Sequence, residues 1–174
     1  MHAEPDDGPR VDTAHFRKVI GRFATGIAVV TTRDGDVDHA MTVNSLTSVS
    51  LDPVLVLFCA EKVARFHDAV MSAGRWAVSV LGEQDEQVSR WFAHRGRPLE
   101  DQLGTVAHTS APLTGAPVLT DAIGVLEGRT RAVYDGGDHS IVLGDVLAAS
   151  VPEGAARPLL HFQGSYRRLE EGVS

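Results

Sequence analysis

The chain has 174 residues, with 43% hydrophobic, 6% aromatic and 22% charged side chains, the size and balance of one globular domain able to bury a core without staples. A net charge of -7 argues against nucleic acid as the main partner, because phosphate neutralisation needs clustered Lys and Arg. The longest apolar run, residues 54–60, is too short to span a membrane, the N-terminus lacks the basic-then-apolar order of a signal peptide, and the single cysteine, Cys59, excludes an internal disulfide framework; the expected address is the cytoplasm.

Residues 1–11 carry Pro, Gly and Asp without apolar periodicity and read as a disordered lead-in to one domain over 12–170. From Asp12 or Thr13 as N-cap, Phe16, Val19, Ile20 and Phe23 fall at helical spacing, with Gly26 as the expected stop. Residues 27–32 and 37–45 flank Asp34-Gly35 as a hairpin. The continuous apolar run after Asp52-Pro53 predicts a central strand over 54–59, buried on both faces. Phe66, Ala69, Val70 and Ala73 predict a second helix stopped at Gly74, residues 76–81 a strand, and Val88, Trp91 and Phe92 the core face of a third helix.

Residues 94–114 are polar, Gly/Pro-interrupted and long for a connection, which reads as a mobile lid or an interface element. Residues 123–134 and 140–150, joined by Asp135-Gly136-Gly137-Asp138, predict another hairpin, and 159–162 with 166–169 the last short strands. Six or seven strands at hairpin spacing with three short helices predict a mainly β, antiparallel barrel.

Several chemistries lack their residues. Gly21 and Gly26 have the outer spacing of a phosphate loop, but Ile27 stands where its lysine belongs. The eight histidines form no close pair of the metal-binding type, so no metal is expected, and no G-x-S-x-G elbow occurs. What stands out is the run Thr42-Val43-Asn44-Ser45-Leu46-Thr47-Ser48-Val49-Ser50-Leu51-Asp52-Pro53, dense in hydroxyls and amides between apolar strands. Such a run can also simply cap strands and build turns.

Together with Phe23-Ala24-Thr25-Gly26-Ile27-Ala28-Val29-Val30-Thr31-Thr32, Gly137-Asp138-His139 and residues 158–166 (PLLHFQGSY), this run resembles the flavin reductase-like family in order over about 16–169. The resemblance implies an antiparallel split β-barrel of the FMN-binding type. It also implies an NAD(P)H:flavin oxidoreductase that passes a hydride from NADH or NADPH to FMN or FAD. By the same resemblance the protein is a homodimer and supplies diffusing reduced flavin to a partner monooxygenase.

It places Thr42, Val43, Asn44 and Ser45 against the ring and ribityl chain, with Ser48 and Ser50 nearby, and the flavin phosphate at the turn carrying Cys59, Ala60, Glu61, Lys62 and Arg65. His139 is the implied catalytic residue on the nicotinamide side, and Tyr166 completes the cofactor-binding set. Without the resemblance, Lys62 and Arg65 read as solvated surface charges. Leu46, Ala40 and His161 depart from the family's usual aromatic, glycine and Tyr or Phe. A non-catalytic flavin-binding electron carrier, and a split barrel holding haem or pyridoxal phosphate, are the alternatives on the same scaffold.

Overall fold

The computed structural model describes residues 10–98, 100–154 and 157–170; most of the expected lead-in, residues 1–9, lies outside them. The Asp12 carboxylate caps helix α1 (Thr13–Ile20) by accepting from the His15 N–H at 2.8 Å. The helix stops at Ile20 rather than Gly26, because Gly21 takes the C-cap and residues 25–26 form strand β1 (Thr25–Gly26) instead. No residue of α1 is buried, and its apolar stripe of Phe16, Val19 and Ile20, with Phe23 just beyond, faces outward.

The chain continues through β2 (Ala28–Asp34), β3 (Val37–Val43), β4 (Thr47–Leu51), β5 (Val54–Glu61), α2 (Arg65–Ala73), β6 (Arg75–Val80) and α3 (Glu86–Ala93). It then forms β7 (His108–Ser110), β8 (Pro117–Leu119), β9 (Gly124–Gly136), β10 (His139–Ser150), β11 (Leu160–Phe162) and β12 (Ser165–Arg167). Seven strands make one antiparallel sheet in the order β3-β2-β6-β9-β10-β5-β4, with small sheets β1-β11-β12 and β7-β8 beside it. The fold is the expected mainly β, antiparallel split barrel with three short helices. Its two edges, β3 and β4, are consecutive in sequence, and the short link 44–46 joins them.

Two strand readings change. β5 is next to an edge, not central, and only alternate residues Val56, Phe58 and Ala60 are buried while Leu55, Leu57 and Cys59 stay half-exposed. An unbroken apolar run therefore marks one core face and one partly open face. β4, invisible in a polar sequence, is an edge strand whose residues 47–49 are exposed, so burial never demanded an apolar alternation there.

The core inside the sheet is built around Trp76. It is fully buried, meets Phe58 edge-on at 5.2 Å and donates its indole N–H to Thr130 Oγ1 at 3.2 Å. Its six-membered ring lies so close to β9 and β10 that a Cβ at Gly128 or Gly144 would come within 2.1 Å of it. A second cluster of Leu81, Phe92, Leu103 and Leu159 fills the space beneath α3.

The described residues of the 94–114 segment, 94–98 and 100–114, are tied to the body of the fold at several points. Buried Leu103 plugs the second cluster, and Arg97 donates to the carbonyls of Phe92 at 2.7 Å, His94 at 2.8 Å and Ala40 at 2.7 Å. Gln102 donates to the Asp38 carbonyl at 2.8 Å, so two side chains occupy the outward carbonyls of edge strand β3. At the far end, the buried Glu127 carboxylate accepts from the N–H groups of Leu113 and Thr114, both at 2.8 Å. Trp91, expected on the core face of α3, is instead a partly exposed brace whose indole donates to the Gln102 carbonyl at 2.9 Å.

Candidate functional site

The polar run bends away from β3 at Asn44, and two of its hydroxyls tie it to neighbouring elements. Thr42 Oγ1 donates to the Ser89 carbonyl at 2.7 Å, which ties β3 to α3. Ser45 Oγ accepts from the Cys59 N–H at 2.9 Å, which ties the 44–46 link to β5. These two bonds set the floor of a cavity of about 470 Å³ between the end of β3, the β5–α2 turn and residues 92–97. That volume lies within the roughly 300–1,000 Å³ of ordinary small-molecule sites.

Eight of the expected site residues line it: Thr42, Val43, Asn44, Ser45, Cys59, Glu61, Arg65 and His139. Five do not. Ser48 and Ser50 lie on β4, where Ser50 Oγ accepts from the Asp52 N–H at 3.2 Å. Ala60 points into the core. Lys62 turns out to Asp135, whose carboxylate it pulls below the ordinary range. Tyr166 stands under α3, its hydroxyl 2.9 Å from Ser89 Oγ and its ring 4.6 Å from the Arg90 guanidinium.

The wall that sequence reasoning missed is His39 together with His94, Arg95, Gly96 and Arg97. Two arginines in three residues of an acidic chain were the available signal. Arg65 donates to the Arg97 carbonyl and Arg95 pairs with Glu61. Burial, and then the neighbouring Arg65 charge, lowers the pKa of Arg97. Burial also lowers the pKa of His39, outweighing the nearby carboxylate of Asp34 and favouring a neutral ring.

His139 opens β10 opposite Glu61 of β5, because a two-residue turn of Gly137 and Asp138 delivers it there. Gly137 sits at φ +78°, which suits glycine. His139 Nδ1 lies 2.7 Å from Asp138 Oδ1, and that contact depresses the Asp138 pKa.

Two other features bound the chemistry. A neighbouring cavity of about 320 Å³, lined by residues 23–28, Asn44, Leu46, Thr47 and Val80, shares Asn44 with the first; Thr25 in its wall has a buried, unpartnered hydroxyl. Asp68, His67 and Ser140 stand in the order of a hydrolase triad, with contacts of 3.1 and 2.9 Å. Ser140 is buried and lines neither cavity, so no substrate carbonyl reaches it. Among the described residues no cluster of His, Cys, Asp or Glu is arranged to hold a metal, and no helix is long and apolar enough to cross a membrane.

Residues 20–170 match the flavin reductase like domain. The chain belongs to this family. It is 39% identical over 170 residues to the NADH-dependent FMN reductase AsuE2 of Streptomyces nodosus subsp. asukaensis, covering 95% of this chain and 90% of that protein. It is 40% identical over 159 residues to an NADH-dependent FAD reductase of Streptomyces globisporus, covering 91% and 86%. The crystal structure of BorF, the flavin reductase component of a bacterial two-component tryptophan halogenase, superimposes with a TM-score of 0.86 at 38% identity, covering 92% of this chain and all of BorF.

For a flavin reductase like domain the occupant to test is flavin, and the donor set fits one. No side chain caps the N-terminus of α2, and the Ala64 carbonyl takes only the His67 N–H, at 2.9 Å, so the N–H groups of Arg65 and Phe66 are offered beside the Arg65 guanidinium, which suits a phosphate. Asn44 and the backbone of residues 42–45 supply polar groups for a heterocycle edge, and Met41, Val43 and Phe66 supply apolar wall.

Proposed function

We propose that this chain is an NADH-dependent flavin reductase that passes a hydride to FMN or FAD and releases the reduced flavin to a partner oxygenase. The observation that carries the reading is one cavity where the polar end of β3, the uncapped start of α2 and His139 meet. NADH is the reductant named for AsuE2 and the Streptomyces globisporus enzyme, BorF is the reductase component of a two-component halogenase, and the relative HsaB is the reductase subunit of a flavin-dependent monooxygenase. An NADH reductant supports the cytoplasmic address expected from the sequence.

Flavin supplies the hydride-accepting chemistry when bound. The chain positions: residues 42–45 hold the ring edge, Arg65 and the start of α2 hold the phosphate, and His139 orients the nicotinamide. Stacked, near-contact placement of donor and acceptor accounts for most of the rate in such a transfer. Backbone N–H groups near the ring edge stabilise the negative charge that develops on reduction. His139 serves to position, with proton donation secondary.

Purified protein is expected to oxidise NADH when free FMN or FAD is added, followed as loss of absorbance at the nicotinamide band. No turnover with any pairing of the two flavins with NADH and NADPH would sink the reading. A preparation that keeps its flavin, stays coloured and leaves NAD(P)H untouched would establish an electron carrier instead.

We also propose a homodimer. The stripe of Phe16, Val19, Ile20 and Phe23 on and after α1 is exposed, as are Val49, Leu51 and Val54 near β4, and clustered apolar side chains of this kind suit a protein contact. Light scattering at micromolar concentration should give twice the chain mass, and the mass of a single chain would refute it.

A further inference from the structure

The wall of the larger cavity carries three arginines, Arg65, Arg95 and Arg97, and among its lining residues one carboxylate, Glu61. Each arginine is already engaged inside the chain: Arg65 with the Arg97 carbonyl, Arg97 with carbonyls of α3 and β3, and Arg95 with Glu61. The other acids near the mouth, Asp135 and Asp138, are 80% and 89% exposed and serve Lys62 and His139 from outside. Glu61 is different. Its side chain is 24% exposed, it ends β5 in register with His139, and its own carbonyl accepts from the Ala64 N–H, so its backbone is fixed at the turn and its carboxylate starts from inside the site.

Arg95, at 77% side-chain exposure, is the mobile half of the pair. Its partner carboxylate sits at the turn where an incoming phosphate would be received. A carboxylate and a phosphate compete for the same guanidinium, and here one Arg95 N–H already donates to Glu61.

We propose that Glu61 limits the cavity's affinity for phosphorylated flavin: its carboxylate holds Arg95 in the empty site and remains as a repelling charge when a phosphate enters. This rests on the flavin reading above and adds to it a device for release. A reductase that hands over its product must not retain it, and one internal anion among three arginines achieves that without changing the groups that hold the ring. It also predicts discrimination by phosphate, since riboflavin brings nothing to compete with Glu61.

The test titrates FMN and riboflavin into the wild type, Glu61→Gln, Arg95→Met and the double variant, reading flavin fluorescence. Glu61→Gln keeps the shape of the side chain and removes only its charge. It should tighten FMN binding about three- to tenfold, the scale of a partly exposed charge pair, and leave riboflavin unchanged. With Arg95→Met already in place the gain should shrink by at least half. In the wild type, Arg95→Met alone should change FMN affinity little, because Glu61 already occupies that arginine; this measurement stands even if Glu61→Gln does not fold.

Equal tightening toward riboflavin, unchanged or weaker FMN binding by Glu61→Gln, or a large FMN loss from Arg95→Met alone would overturn the proposal. A wild type that binds FMN while Glu61→Gln gains nothing defeats only the role of Glu61. A wild type that binds neither flavin defeats the flavin reading as well.

Discussion

Gly144→Ala is expected to destabilise the protein by about 3 kcal/mol or more, at the upper end of overpacking effects. The added methyl would stand 2.1 Å from Trp76 Cζ2 and 3.0 Å from the Arg129 carbonyl oxygen. Neither can retreat. The indole is fully buried, anchored to Thr130 and backed by Phe58, and Arg129 belongs to the β9 strand paired with β10.

Denaturant titration should show a large fall in midpoint with little change in slope. Trp76→Phe removes the ring that the methyl meets, so Trp76→Phe/Gly144→Ala should cost clearly less than the sum of the two single variants. A midpoint for Gly144→Ala within about 0.5 kcal/mol of wild type, the range of ordinary surface changes, would show that β10 can shift aside. The site depends on this contact, because the hairpin pinned by Trp76 also brings His139 to the cavity.

The same hairpin shows what was legible in sequence. Gly137 and the flanking β-rich runs announce a turn through local backbone chemistry, and the structure places the strands within a residue or two of that expectation. The end of α1 was not legible: its stripe continues through Phe23, but pairing of Thr25 with His161 on β11 decides the boundary, and that partner lies far along the chain.

The candidate site divides in the same way. Thr42, Asn44 and Ser45 share one short segment and Arg65 belongs to a second, both readable locally, whereas the wall of His94, Arg95 and Arg97 depends on one arginine reaching carbonyls of two other elements. Tyr166 and Ser48 show the converse limit. Both are polar residues inside a recognised segment, but neither lines the cavity: one braces Ser89 and the other lies on an exposed edge. A motif fixes a segment; which side chains of that segment turn inward is settled by packing.

His139→Ala should lower kcat/KM for NADH by about 10- to 100-fold, roughly 1.4 to 2.7 kcal/mol of lost transition-state stabilisation, and raise the apparent KM. Flavin affinity should stay nearly unchanged. The geometry supports a positioning role: Asp138 holds Nδ1 at 2.7 Å, and Nε2 has no hydrogen-bond partner among the described residues. Contact with His139 depresses the Asp138 pKa, so the carboxylate is ionised at neutral pH and favours the tautomer carrying its proton on Nδ1. Nε2 is then free for a ligand in the cavity that His139 lines.

A mere structural role for the ring would lower stability and affect both ligands alike. The check is therefore a pair of measurements on one variant, flavin binding by fluorescence and NADH dependence by steady-state kinetics. Weakened flavin binding with normal NADH kinetics would move His139 to the other ligand. Equal losses on both, accompanied by a lower denaturation midpoint, would reduce it to a strand-start residue. The first of these outcomes would also reopen the position of the nicotinamide, leaving the 320 Å³ cavity beside Asn44 as the place to look for it.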